Sequence, residues 1–308
     1  MTIATRAGVQ DRAPTVEWVT FLLITGCYGT WMGALFWAAA PLGALIIPVV
    51  AFAAVLHSSL THEALHGHPF RSRFWNEAVM FLPLSLTVPY ARFRDLHLAH
   101  HRDSNLTDPY DDPESNYLDP VVWARLPMWQ RGLLRVNNTL AGRILIGPAI
   151  GQVVFMVSEL RLLRAGEPGV LRAWIAHLIG VALVLALVWL SPMPLWAYLV
   201  ACYIALGVLR IRTFLEHQAH EKVRGRTVII EDRGVLAFLF LNNNLHMVHH
   251  MHPGVPWYRL PAVYRAGRAR FLAINKGYTY RSYGEVFRRF FLRAKDPVVH
   301  PLWRGPGK

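Results

Sequence analysis

The stretch NNNLHMVHHMHPG, residues 242–254, carries histidines at a spacing that suits metal ligation. On a helix His246, His249 and His250 stand at i, i+3 and i+4, so three imidazoles share one face about one turn apart. The same HxxHH pattern recurs as His97, His100 and His101 in DLHLAHHRD, and a shorter HxxxH pair, His62 and His66, lies in THEALHGH. Three clusters so distant in sequence imply one site. Neutral imidazole is a good ligand for iron, zinc and copper, and a carboxylate or carbonyl on its other nitrogen fixes its tautomer. Eight histidines exceed what one tetrahedral zinc takes, so two ions fit better. Without thiolates, and beside a membrane, the set favours a pair of iron ions handling dioxygen, while ligand counting alone leaves zinc and manganese open. Glu63, Asp95, Asp103 and Glu216 are the neighbouring carboxylates expected to steady the ligand rings.

Other histidines have plainer readings. His177 lies inside an apolar run and is read as a packing or hydrogen-bonding residue; His300 is read as solvated, and His57 and His68 flank the first box. HEALH also matches HExxH, in which two histidines bind zinc and a glutamate activates water, the pattern of a metalloprotease. That reading leaves both HxxHH boxes unexplained. A metal carrier is the non-enzymatic competitor, but a transport path needs polar groups at membrane depth, and His177 is the only histidine well inside a run. A nucleic-acid-facing role fails on the paired boxes, since surface histidines need no such repetition.

The elements that must position these residues are hydrophobic. The chain has 308 residues, a mean hydropathy of +0.27 and a formal charge of +13, values a soluble domain rarely combines. No charged residue occurs from Trp18 to His62, enough for two crossings of roughly 20 residues each, with Pro41 and Gly43 placed to turn the chain. A second uncharged run from Ala173 to Leu209 is broken by SPMP at 191–194. The expected fold is an all-α integral membrane protein of about four transmembrane helices in two hairpins, with interfacial helices and a histidine-rich di-metal cap. The hairpin loops carry no Lys or Arg, whereas the chain from Arg259 onward carries twelve, so the cap and both termini are expected on the cytoplasmic side of the cytoplasmic membrane.

Three regions follow: a polar lead at 1–17, read as uncleaved and mobile; a membrane domain at 18–265; and a basic tail at 266–308. Residues 78–91, with Pro83 and Pro89, and residues 144–158, with Gly147, Pro148 and Gly151, are apolar but read as too short to span. Residues 104–120 form an acidic, proline-broken loop. Cys27 and Cys202 both fall within expected spans, so neither a disulfide framework nor a thiolate site is available.

HEALHGH, HLAHH and HMVHH, in this order and with a hydrophobic hairpin between the second and third, resemble the three histidine boxes of the membrane fatty acid desaturase and hydroxylase superfamily. The resemblance covers roughly residues 50 to 265. It implies a di-iron centre held by His62, His66, His97, His100, His101, His246, His249 and His250. A further ligand between the last span and the third box falls on His217 in TFLEHQAH, with His220 as the alternative. The longer wording HEALHGHPFRSR and LTDPYDDPESNY is similar to a bacterial group that includes dihydrorhizobitoxine desaturase. His246 stands where front-end desaturases have glutamine, and HPGV at 252–255 is not the haem-binding HPGG.

The activity implied is oxygen-dependent attack on unactivated C–H bonds of a fatty acyl or related lipid-like chain. It requires O2 and an external electron donor, such as a small ferredoxin or rubredoxin. Desaturation, hydroxylation and terminal-alkene formation share the boxes. No catalytic side chain beyond the metal ligands is implied, and Trp257 and Tyr258 are read first as interfacial anchors.

Overall fold

The computed structural model of the protein describes residues 16–102 and 106–305. The uncharged run after Glu17 must satisfy its backbone polar groups within itself, and it does so as helix. Helix α1 spans Trp18–Gly33, a wider π-type turn covers Ala34–Ala38, and α2 is Ala39–Leu42. At Gly43 the chain reverses with φ +53, a conformation open to glycine because it lacks a Cβ. A tight turn at Gly43–Ile46 leads into α3, Ile47–Leu65, which packs back along α1. Of the expected polar lead only Val16 and Glu17 are described. The Glu17 carboxylate meets His68 Nδ1 at 2.5 Å and accepts from Thr20 Oγ1 at 2.7 Å.

Helix α4 is Arg73–Val79 and α5, which carries the second box, is Tyr90–Arg102. After the acidic loop come α6 (Pro120–Arg125), α7 (Met128–Asn137), α8 (Leu140–Leu145) and α9 (Gly147–Arg164). Trp129 and Met128 on α7 are exposed while Arg131 and Arg135 stack on Trp123, an arrangement suited to a membrane surface. Helix α9 is longer than its apolar core predicts. It continues through Glu159 because that buried carboxylate is clasped by Arg92, at 2.8 and 2.9 Å, and by Trp174 Nε1 at 3.0 Å.

Helices α10 (Val170–Leu190) and α11 (Leu195–Thr213) form the second hairpin. Together with Trp18–Leu65 they are the three stretches, among the described residues, long and apolar enough to cross a membrane. The first of these folds back on itself at Gly43. Its second arm, α3, packs against α11 through a core that includes the fully buried Leu60, Tyr198 and Leu215.

Residues 80–89 do not span. They enter among the helices without regular structure, which is tolerated at membrane depth only where protein groups satisfy the backbone. Leu84 O accepts from Tyr198 Oη at 2.8 Å and from Cys202 Sγ at 3.4 Å, and Leu86 O accepts from His177 Nε2 at 3.2 Å. Gly180 permits the approach, because a Cβ there would stand 2.8 Å from Phe81 O.

The chain after α11 builds the cap: a 3-10 turn at Val223–Arg226, β1 (Ile229–Ile230), α12 (Val235–Leu239), α13 (His246–Met251), α14 (Leu260–Ile274), β2 (Thr279–Tyr280) and α15 (Tyr283–Phe290). The two strands pair in parallel, Ile229 with Thr279 and Ile230 with Tyr280, a small departure from the all-α expectation. The 265/266 boundary drawn from composition falls within α14, beside its kink at Gly267. The basic residues beyond it do not trail away. Leu118 N donates to Val298 O and His300 N to Leu118 O, both at 2.9 Å, so the C-terminal segment straps the acidic loop.

Candidate metal centre

Each histidine box reaches the centre from a different element. His62 lies in the last turn of α3 and His66 just past its end; α5 presents His97, His100 and His101; His217 follows α11; α13 presents His246, His249 and His250. The nine imidazoles sort into two groups, each with its donor nitrogens within 4.8 Å of one another. One comprises His62, His66, His97, His101 and His249; the other comprises His100, His217, His246 and His250.

The grouping cuts across the boxes. In each HxxHH the residues at i and i+4 serve one group and the residue at i+3 serves the other. Helical geometry accounts for this, since i+4 lies about 40° from i and i+3 about 60° to the opposite side. His97 and His101 go with the α3 pair, and α5 lends His100 across; His246 and His250 go with His217, and α13 lends His249 back.

The donor atoms fit metal ions. Nε2–Nε2 separations are 3.2 Å for His66–His97, 3.1 Å for His101–His249, 3.0 Å for His100–His217, 3.2 Å for His217–His246 and 3.1 Å for His246–His250. Ligand nitrogens about 2.1 Å from a shared ion lie about 3.0 Å apart at right angles and about 3.4 Å apart in a tetrahedron. The buried His62 Nε2 has no hydrogen-bond partner among the described residues, as a nitrogen aimed at an ion requires.

Behind the rings the opposite nitrogens are held. His97 Nδ1 donates to Glu114 Oε1 at 2.7 Å, His100 Nδ1 to Asp112 Oδ1 at 2.7 Å, and His246 Nδ1 to Asn243 Oδ1 at 2.9 Å. Because a carboxylate only accepts, the first two contacts place the proton on Nδ1 and turn the Nε2 lone pair inward. Asp112 is itself fixed, accepting from Glu114 N at 2.9 Å and Thr107 N at 2.8 Å. Each asparagine of the run NNN just before the third box donates from its side chain. Asn242, at φ +57, donates to Trp257 O; Asn243 joins His246 to Glu216; and Asn244 donates to Ile230 O and Asp232 O.

Burial and then the neighbouring imidazoles depress the basicity of His217, His246, His249 and His250, which keeps these rings neutral and ligand-ready. At His100 burial is outweighed by Glu114 and Asp112, which raise it to about 9. Burial works against ionisation of Glu114, but His97 and His100 overcome it and hold its carboxyl well below the ordinary range.

Several expected partners stand elsewhere. Asp95 is turned away, paired with Arg94 at 2.9 and 2.7 Å and half exposed, because residues two apart on a helix do not share a face. Glu63 Oε1 is 3.8 Å from His62 Nδ1, while Oε2 accepts from Trp257 N at 3.1 Å. Glu216 is 3.8 Å from His246 Nδ1 and reaches it through Asn243. Asp103 lies outside the described residues.

Among the outlying histidines, His220 belongs to neither group; its Nδ1 accepts from Lys222 N at 3.0 Å within its own turn. His57 meets Tyr28 Oη at 3.1 Å, and His68 meets Glu17. His300 is buried rather than solvated, 3.1 Å from Thr107 Oγ1, because the C-terminal strap carries it against the acidic loop. Asp112 and Glu114 are the functional residues that sequence reasoning misses; the density of carboxylates in DPYDDPE is the signal available for them.

A helical scaffold with apolar stretches able to span a membrane and two adjoining histidine-only donor sets defines a membrane histidine-box oxidoreductase. More particularly, the chain belongs to the fatty acid desaturase family, whose model matches residues 35–283. It is also similar to the beta-carotene ketolase of Paracoccus sp. (strain N81106 / MBIC 01143), with 27% identity over 218 residues, covering 68% of this chain and 73% of that one.

Proposed function

We infer that the chain is a membrane-bound, di-iron, oxygen-dependent desaturase of a fatty acyl or related lipid-like chain. The observation that carries this reading is the crossed sorting of nine histidines into five- and four-donor sets, an arrangement suited to two ions. The five donors of one set exceed what a tetrahedral zinc takes, which supports iron. Glu63, the base a protease would require, is engaged by the Trp257 amide, which counts against hydrolysis.

When bound, the iron pair would supply reductive activation of dioxygen for attack on an unactivated C–H bond. The chain's own residues do the rest. The histidines bind through Nε2, while Asp112, Glu114 and Asn243 orient three of the rings. Burial of His62, His97, His100, His246 and His249 shields these five rings from water, while His66, His101, His217 and His250 are half-buried. Electrons come from a small ferredoxin or rubredoxin docking on the cationic cap. The bilayer is crossed four times, with the cap and both termini on the cytoplasmic side; a reporter inserted after residue 42 should then read as external.

The likeness to a ketolase favours a second chemistry at the same centre, oxygen insertion to an alcohol or on to a ketone rather than alkene formation. Mössbauer spectroscopy on anaerobically purified, iron-57-enriched protein, followed by lipid mass spectrometry after a reductant and oxygen cycle, tests both. Two irons per chain and a product lighter by two hydrogens are expected; a gain of one oxygen selects the second chemistry. One zinc per chain with no response to oxygen refutes both.

A further inference from the structure

His217 has the least local support of the metal-facing histidines. The others stand on α3, α5 or α13, with His66 capping α3, whereas His217 lies in irregular chain after α11 and is tied to Thr227 by an isolated antiparallel bridge. Its ring is loosely held as well. His97 and His100 each set Nδ1 against a carboxylate at 2.7 Å, but the His217 Nδ1 contact is with the neutral Thr227 Oγ1, at 3.4 Å.

The firmer grip is on the backbone around it. Tyr278 Oη donates to Leu215 O at 2.6 Å, Val228 N to Glu216 O at 3.1 Å, the Lys295 ammonium to His217 O, and Ala219 N to Tyr117 Oη at 2.9 Å. These contacts fall on four successive peptide units. Because each unit is planar, holding one atom of it restrains the whole plane, and the remaining freedom of His217 is that of its side chain.

Lys295 joins these contacts into one network. An ammonium has three N–H donors, and here each has an acceptor: His217 O, Tyr278 Oη at 3.4 Å and Asp296 Oδ2 at 3.0 Å. The same Asp296 oxygen accepts from Tyr117 Oη at 2.5 Å. The Lys295 side chain is 10% exposed, and a charge withdrawn that far from water is costly unless it is paired and hydrogen-bonded. Anchoring the C-terminal strap does not call for it, since Val298 O and His300 N already bond to Leu118.

We propose that Lys295 is a positioning residue for the metal centre: from the C-terminal strap it pins the His217 carbonyl and so sets the line along which His217 Nε2 faces the four-histidine site. Tyr278 and Asp296 hold the ammonium in place for that purpose. The inference deepens the reading of the two histidine sets as ion sites and rests on it for the effect on metal, but not for the grip itself.

Two measurements on the full chain in phosphatidylcholine nanodiscs test this, with Lys295→Met, which removes the ammonium and keeps an unbranched stem. In metal-free protein, amide hydrogen exchange across residues 214–220 should quicken about tenfold while α5 and α13 keep their rates. In anaerobic titration with ferrous iron, the step abolished by His217→Ala should weaken roughly tenfold or more and the other should stay in place. Mössbauer spectra should show the same selectivity, only the doublet lost in His217→Ala being altered. Tyr278→Phe, which removes one oxygen and leaves the buried ring, should act in the same sense to a smaller degree and decides the matter if Lys295→Met fails to fold. Unchanged exchange at 214–220, or equal shifts of both iron steps, overturns the proposal. Failure of the two-ion reading would appear in the unaltered chain, whereas failure of this assignment appears in the variants, and the metal-free exchange judges it in either case.

Discussion

Asp112→Asn should weaken one metal ion and spare the other. The Asp112 side chain is 1% exposed and accepts three hydrogen bonds, from His100 Nδ1 and Glu114 N on one oxygen and from Thr107 N on the other. An asparagine has one acceptor oxygen. Whichever way it turns, its amide NH2 faces a donor, either the Thr107 N–H or the paired donors of His100 and Glu114. Leaving a buried polar group unsatisfied costs about 1–3 kcal/mol. Loss of a carboxylate behind a ligating histidine lowers metal affinity roughly 10–100-fold, which is about 1.4–2.7 kcal/mol, so the two estimates agree. His100 belongs to the four-histidine set, and that set should carry the loss.

Anaerobic titration of the apoprotein with ferrous iron against a competing chelator resolves the two binding steps. One step should weaken by the stated factor while the other stays put. Glu114→Gln should act mainly on the five-histidine set through His97, with a smaller effect on the other because Glu114 Oε2 lies 4.0 Å from His100. Equal shifts of both steps in Asp112→Asn, or no shift at unchanged thermal stability, would refute the reasoning.

His217→Ala should remove one iron of two, whereas His220→Ala should retain both, read by metal analysis of the purified variants. In Mössbauer spectra His249→Ala should perturb the same doublet as His97→Ala rather than that of its neighbour His246, because donors sort by group and not by box. Gly180→Val should lower the melting temperature by an amount corresponding to about 1–3 kcal/mol, since its Cβ would meet Phe81 O and displace the 80–89 segment. Glu231 is held below 4.5 by its hydrogen bonds to Arg268, so the stability it contributes is present above that value and is lost as pH falls through the folded pKa. Glu231→Gln should therefore flatten the acid limb of a melting-temperature profile, by a small amount because Arg268 is more than half exposed.

The histidines are legible in the sequence because i, i+3, i+4 is a statement about one helix, and each box is short enough for that geometry to hold. The turn at Gly43 is legible for a similar reason, a local backbone need in an otherwise uncharged run. The groups behind the rings are not. Adjacency nominates Asp95 and Asp103, yet helical rotation turns Asp95 outward, and the carboxylates that serve His97 and His100 come from 17 and 12 residues further on. Only the folding of the acidic loop onto α5 brings them there. That loop is held by the C-terminal strap, through Tyr117 Oη donating to Asp296 at 2.5 Å and through His300 beside Thr107, contacts between residues 179 and 193 apart. A basic composition makes this strap resemble a solvated tail, because charge content reports which side of a membrane a segment favours and is silent on what it packs against.

The crossing of donors between groups also couples metal binding to the fold. Helices α3 and α5, with His66 just past the end of α3, supply four of the five donors in one set, and the chain after α11 supplies three of the four in the other. Each set is finished by a histidine from the opposite half of the chain, His249 or His100. Neither half can hold a complete set alone. An ion in either set is therefore a cross-link between the first hairpin with α5 and the segment that follows the second hairpin, and the free energy of metal binding becomes free energy of docking the cap. Two ions bridging in opposite senses resist rotation of α13 against α5, which a single bridging ion would allow. With both ions bound, the exchange of His100 for His249 would thus fix the relative position of two helices that an uncrossed arrangement, with each box confined to its own ion, would leave to packing alone.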